Sequence, residues 1–156
     1  MTIHWCGTGL SAIPGLRRLI KAGHEVTVWN RTLEKAQDAV GDLTQRIQVF
    51  DLKALRAELK AGDVVVSMLP GEWHVPLAET AIEARAHFVS SSYIAPEMRA
   101  LDDKARDAGV ALLNEIGLDP GIDHLMAHHL TETYRASAAF DKDAELTFIS
   151  YCGGIP

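Results

Sequence analysis

Hydrophobic positions along the chain follow two alternating rhythms. Short runs rich in β-branched and aromatic residues predict strands over 2–6, 25–29, 47–50, 63–69, 87–90, 110–114 and 145–151. Between them, apolar residues spaced three or four apart predict helices over 10–21, 33–40, 52–59, 75–86, 96–108 and 122–135. Ala12, Leu16, Leu19 and Ile20 make one face of the first helix, and Met98, Leu101, Ala105 and Ala108 one face of the fifth. Gly23 and Gly109 stand just past helix ends, where a left-handed cap is expected, and Pro96 stands at a helix start. The run Val64-Val65-Val66-Ser67-Met68-Leu69 is almost continuously apolar, which predicts a central strand buried on both faces. Strands alternating with helices predict an α/β fold: a mainly parallel, doubly wound sheet with helices on both faces.

Composition narrows the function. The 156 residues suit one domain, and 47% hydrophobic with 23% charged residues excludes disorder and coiled coil. Fifteen Lys and Arg against 21 Asp and Glu give a net charge of −6, which repels phosphate backbones; no nucleic-acid partner is expected. No apolar run is long enough to span a bilayer, and Met1 to Cys6 lack the basic region of a signal peptide, so no membrane partner is expected. Two cysteines, Cys6 and Cys152, cannot make a disulfide framework, and a cytoplasmic setting follows.

Three motifs carry chemistry. Gly7-Thr8-Gly9-Leu10-Ser11-Ala12 is a G-x-G-x-x-A turn between a predicted strand and helix, the Rossmann dinucleotide fingerprint. Gly7 permits the tight turn, Gly9 lets amides approach a pyrophosphate, and Ala12 lets the helix pack on the strand. The second predicted strand ends in Trp29-Asn30-Arg31-Thr32, without the acid that would bind a ribose 2′-hydroxyl. Arg31 can instead pair with a 2′-phosphate and Thr32 can donate a hydroxyl, so NADP is expected over NAD. The third motif is polar: Ser91-Ser92-Tyr93 and the stretch Asn114 to His124 follow the fifth and sixth predicted strands, at the carboxyl ends where open α/β sheets bind ligands. Asp119, Asp123 and His124 read as site residues, with helix capping the competing role for Asp119 and Asp123. His124 and His128 have i, i+4 spacing but no evident third ligand, so no metal is expected, and His129 is expected to face the core. His74 either borders the cofactor or caps the following helix.

The stretch Asn114-Glu115-Ile116-Gly117-Leu118-Asp119-Pro120-Gly121-Ile122-Asp123-His124 resembles the saccharopine dehydrogenase family, the NADP-dependent, L-glutamate-forming type. Ser67-Met68-Leu69-Pro70 with His74, Ser91 to Met98, and Ser150-Tyr151-Cys152-Gly153-Gly154-Ile155-Pro156 are similar to the same family. Its members join glutamate to α-aminoadipate semialdehyde as an imine and reduce it with NADPH, or run the reverse oxidation in lysine metabolism. The resemblance implies that Gly9, Leu10, Ser11 and Ala12 lie at the pyrophosphate. It implies Asn30, Arg31 and Thr32 at the 2′-phosphate, with Asp51 and Leu52 near the adenine. Leu69, Ser91, Ser92, Leu118, Asp119 and Pro120 would line the nicotinamide side. Ser92, Tyr93 and Asp119 would touch an amino-acid substrate, with Cys152 close by; Tyr93, Asp119 and Cys152 are the candidate catalytic groups. Asp119 can hold a developing amine and Tyr93 can donate a hydrogen bond.

Saccharopine carries several carboxylates, yet Arg85 and Arg99 lie in predicted helices and no basic clamp converges on the site. In the family those groups come from a further domain inserted after the Gly153-Gly154-Ile155-Pro156 position. The expectation is therefore one NADP-binding domain over 1–156, cut before its substrate domain, that binds NADP weakly and does not turn over saccharopine alone. A homodimer formed through the absent domain is the assembly to consider. A carboxynorspermidine-type imine reductase and a non-catalytic NADP-binding sensor module are the competing readings.

Overall fold

The computed structural model describes residues 1–151 and 153. Six strands form one all-parallel sheet: β1 (Ile3–Cys6), β2 (Val26–Asn30), β3 (Ile47–Val49), β4 (Val64–Ser67), β5 (His87–Ser90) and β6 (Leu112–Leu113), in the order β3-β2-β1-β4-β5-β6. The order reverses between β1 and β4, the switch point at which parallel sheets open a crevice beyond their carboxyl ends. Among the described residues seven α-helices accompany the strands: α1 (Ile13–Lys21), α2 (Leu33–Val40), α3 (Leu52–Glu58), α4 (His74–Glu83), α5 (Pro96–Arg99), α6 (Asp102–Ala108) and α7 (Ile122–Arg135).

Alternation along the strands feeds two cores. Trp5, Val26 and Val28 pack with Leu16 of α1 and Ala36 and Val40 of α2 on one face. Trp29, Val65 and Phe88 pack with Leu55, Leu77, Ala81, Met98 and Leu101 on the other. Only the second face of β4 is fully buried: Val65 and Ser67 are buried while Val64 and Val66 are half-exposed, which corrects the expectation of two buried faces.

Other differences have local causes. The first helix begins at Ile13 rather than at residue 10, because Pro14 lacks an N–H and is tolerated only in a first turn. Residues 96–108 form two short helices that share one buried stripe of Met98, Leu101 and Ala105. Arg85 lies beyond the end of α4, at φ 55°. Residues 145–151 form no strand despite their strand-like pattern; a strand needs a hydrogen-bonded neighbour, and none pairs with them among the described residues. His129 is exposed, not in the core, because α7 buries no residue. Gly23 and Gly109 do adopt left-handed caps, at φ 85° and 70°. Among the described residues, no helix is long and apolar enough to cross a membrane.

Candidate functional site

The glycine turn joins β1 to α1 at the switch point. Gly7 sits at φ 104°, its amide donating to the Trp29 carbonyl at 2.8 Å, and a Cβ there would lie 2.6 Å from the Met68 carbonyl oxygen. Glycine is thus required by both conformation and proximity. Ala12 is 2% exposed against the core, as its small size demands. Ala12 and Ile13 donate back to the Gly9 carbonyl at 2.9 and 3.3 Å, while the amides of Gly9, Leu10 and Ser11 have no acceptor among the described residues. A Cβ on Gly9 would meet nothing within 4 Å. The start of α1 has no side-chain cap and no acid in its first turn, which leaves its positive end uncompensated. Thr8 Oγ1 is buried without a hydrogen-bond partner among the described residues. Free amides, open space and an orphaned hydroxyl fit a pyrophosphate bound at a helix N-terminus.

Asn30 ties this turn to the next loop: its Oδ1 accepts from the Thr8 amide at 3.3 Å, and its Nδ2 donates to the Thr32 carbonyl at 2.8 Å. Arg31 is exposed and has no ion-pair partner among the described residues, and Thr32 makes no side-chain cap bond to α2. Both side chains are available to a phosphate. Asp51 is committed as the cap of α3, accepting from the Ala54 amide at 2.8 Å, and Leu52 packs at the core margin. Beside them Phe50 and Trp73 meet edge to face at 5.1 Å, a pair that no local spacing could signal.

The polar cluster assembles beyond β5 and β6. The Tyr93 hydroxyl donates to Asp119 Oδ1 at 2.7 Å. The Glu115 amide donates to the Ser92 carbonyl at 3.1 Å, and Glu115 Oε1 accepts from the Ile94 amide at 3.1 Å, so the two polar segments brace each other. Gly121, at φ 145°, packs so close to the Gly117 carbonyl oxygen that a Cβ would clash with it. That approach closes the loop carrying Leu118, Asp119 and Pro120; Leu118 and Asp119 are exposed and Pro120 is buried. Asp123 accepts from the Gly121 amide at 2.7 Å and from His124 Nδ1 at 3.0 Å. The hydrogen bond between them lowers the pKa of Asp123 and raises that of His124. Neither aspartate is the N-cap of α7, which is Gly121 with no side-chain cap bond; Asp123 ties the loop to the helix start and Asp119 stays exposed. Among the described residues no group of three or more His, Cys, Asp and Glu is placed to hold a metal.

His74 links the cluster to the sheet. It is buried, with Nδ1 2.8 Å from Ser67 Oγ and Nε2 2.8 Å from Ser92 Oγ, and burial lowers its pKa. Ser91 Oγ points to the Met68 sulfur at 3.9 Å, and Leu69 is half-buried beside Gly7. Ser67 and Glu115 stand in sequence motifs, but only the folded geometry gives their side chains partners. Cys152 lies outside the described residues.

A family model described as saccharopine dehydrogenase NADP binding domain matches residues 3–113. The chain belongs to this family. NADP is accordingly its cofactor. The chain is 41% identical over 96% of its length to saccharopine dehydrogenase [NADP(+), L-glutamate-forming] of Pyricularia oryzae, and 39% identical over 96% to the Saccharomyces cerevisiae enzyme of the same name. It spans about a third of these relatives' length, 33% and 34%. Apo saccharopine dehydrogenase from S. cerevisiae superimposes with a TM-score of 0.75 at 34% identity, covering 86% of this chain and 31% of that one.

Proposed function

We propose that this chain is the NADP-binding part of an oxidoreductase that interconverts saccharopine with L-glutamate and α-aminoadipate semialdehyde. The observation that carries the reading is the Tyr93–Asp119 pair, held at 2.7 Å beyond the carboxyl ends of β5 and β6 in a chain of this family. NADP(H), when bound, supplies the hydride chemistry at a carbon–nitrogen bond. The chain's own residues bind and orient. The amides of Gly9, Leu10 and Ser11 receive the pyrophosphate, and Arg31 with Thr32 the 2′-phosphate. Ser91, Ser92, Leu118 and Pro120 border the nicotinamide, while Ser92, Tyr93 and Asp119 face the amino-acid substrate. Asp119, already accepting from Tyr93, offers its remaining lone pairs to a cationic amine. The carboxylates of the substrate find no basic clamp among these residues, and a further domain would supply it, together with a dimer contact. The low cysteine count and the buried, unpaired Cys6 support a cytoplasmic setting.

Fluorescence titration with NADPH and NADH tests the cofactor assignment. NADPH should bind more tightly, and Arg31→Ala should remove most of the preference, roughly tenfold or more for a lost charge-assisted phosphate contact. Equal affinity for the two cofactors in the unmodified chain would overturn the 2′-phosphate assignment.

A further inference from the structure

Ser67 ends β4 fully buried, and its hydroxyl meets one partner among the described residues, Nδ1 of His74 at 2.8 Å. A serine hydroxyl has one proton and two lone pairs. Donating to Nδ1 uses its only proton; accepting from Nδ1 would strand that proton in the core, which is the costlier arrangement. Nδ1 is therefore the acceptor, and a neutral imidazole then carries its proton on Nε2. That nitrogen lies 2.8 Å from Ser92 Oγ. His74 donates to Ser92, so the Ser92 proton cannot point back at the ring and turns toward the crevice. Backbone contacts hold Ser92 still: its amide donates to Ser90 Oγ at 3.0 Å and its carbonyl accepts from the Glu115 amide at 3.1 Å. The rotation of its hydroxyl is the freedom that remains, and the ring removes it.

We propose that Ser67 and His74 form a proton-ordered relay that fixes Ser92 Oγ as a hydrogen-bond donor to an acceptor oxygen of the bound ligand. His74 is then a positioning residue, selecting for a carbonyl or carboxylate oxygen at this point of the crevice. Desolvation of the ring, which outweighs the nearby Glu72, keeps it neutral and the order intact. The inference rests on the reading that this edge holds the nicotinamide and the amino-acid substrate. The acceptor belongs either to the carboxamide of NADP(H) or to a carboxylate of the substrate.

Two measurements on the full chain test it. Two-bond proton–nitrogen correlation on protein labelled with ¹⁵N-histidine reads the tautomer directly, with His74 assigned by its absence in His74→Gln. Protonation on Nε2 alone is expected; protonation on Nδ1 overturns the relay whether or not any ligand binds. The second measurement titrates NADPH, then L-glutamate with NADPH present, into Ser67→Ala, Ser92→Ala and the double variant. Each single change should weaken the same titration roughly threefold to tenfold, the worth of one hydrogen bond, and the double variant should lose no more than Ser92→Ala. The titration that responds identifies the source of the acceptor oxygen. Additive losses, no loss for Ser67→Ala in a titration that Ser92→Ala weakens, or no loss for Ser92→Ala in any titration where ligand binds, overturn the proposal. Failure of the unmodified protein to bind NADPH would instead remove the reading of the edge, leaving the tautomer to decide the relay.

Discussion

Gly7 and Gly9 belong to one motif yet are held by different physics. At Gly7 the left-handed φ of 104° and the Met68 carbonyl, 2.6 Å from where a Cβ would sit, both exclude a side chain. The two nearest obstructing atoms are Met68 backbone, so the clash cannot be relieved without moving the chain just past β4. Gly7→Ala should therefore cost roughly 1–3 kcal/mol in urea unfolding and weaken NADPH binding as a consequence. At Gly9 a Cβ would meet nothing within 4 Å, and the fold does not need the glycine. Gly9→Ala should leave stability within about 0.5 kcal/mol but lower NADPH affinity, since the methyl group would take up space left open at the turn. Wild-type affinity in Gly9→Ala would mean that the pyrophosphate lies elsewhere.

Elements were legible where their signal was local. The span 122–135 and the strand 87–90 match the structure because periodicity and flanking turn residues mark them. Residues 145–151 carry the composition of a strand, but pairing depends on a neighbour that composition does not encode. The exposure of His129 likewise depends on what packs against α7. At the site, the glycine turn and the polar stretch were legible as motifs. The Phe50–Trp73 contact and the Ser67–His74–Ser92 chain join residues from separate elements and were not. Helix α3, at seven residues, depends on its Asp51 side-chain cap, since short helices gain little from propagation. Asp51→Ala should lower stability by about 1 kcal/mol in urea unfolding, with Asp51→Asn retaining most of it. Equal losses in both variants would show that the charge of Asp51, not its capping bond, is what counts.

Across the whole molecule, buried polar groups make stability depend on pH, two of them near neutrality. His4, hydrogen-bonded through Nδ1 to the Trp29 indole N–H at 3.2 Å, has its pKa lowered by burial despite Asp63 nearby, and His74 is lowered by burial as well. A histidine with a lowered folded value binds its proton more readily in the unfolded chain. Below the ordinary value of 6.5 the unfolded state therefore gains protons first, and stability falls as pH falls. Asp63 is also lowered: burial opposes its ionised form, but the amides of Thr2 and Lys60 outweigh that. Its stabilisation is present above the ordinary value of 3.8 and is lost only as pH falls beneath it, so it stays constant while the histidines titrate. His124 acts in the opposite sense, because its raised value favours the protonated fold, but it is exposed and screened. The unfolding free energy from urea titration, and with it the midpoint, should thus be lower at about pH 5.5 than at about pH 7.5, the free energy by at most about 1.4 kcal/mol per pH unit for each buried histidine. His4→Gln and His74→Gln should each flatten that fall, whatever they do to absolute stability. A midpoint that does not move between the two pH values would mean that neither ring is held neutral by the fold, and the Ser67–His74–Ser92 order would then lose its neutral donor.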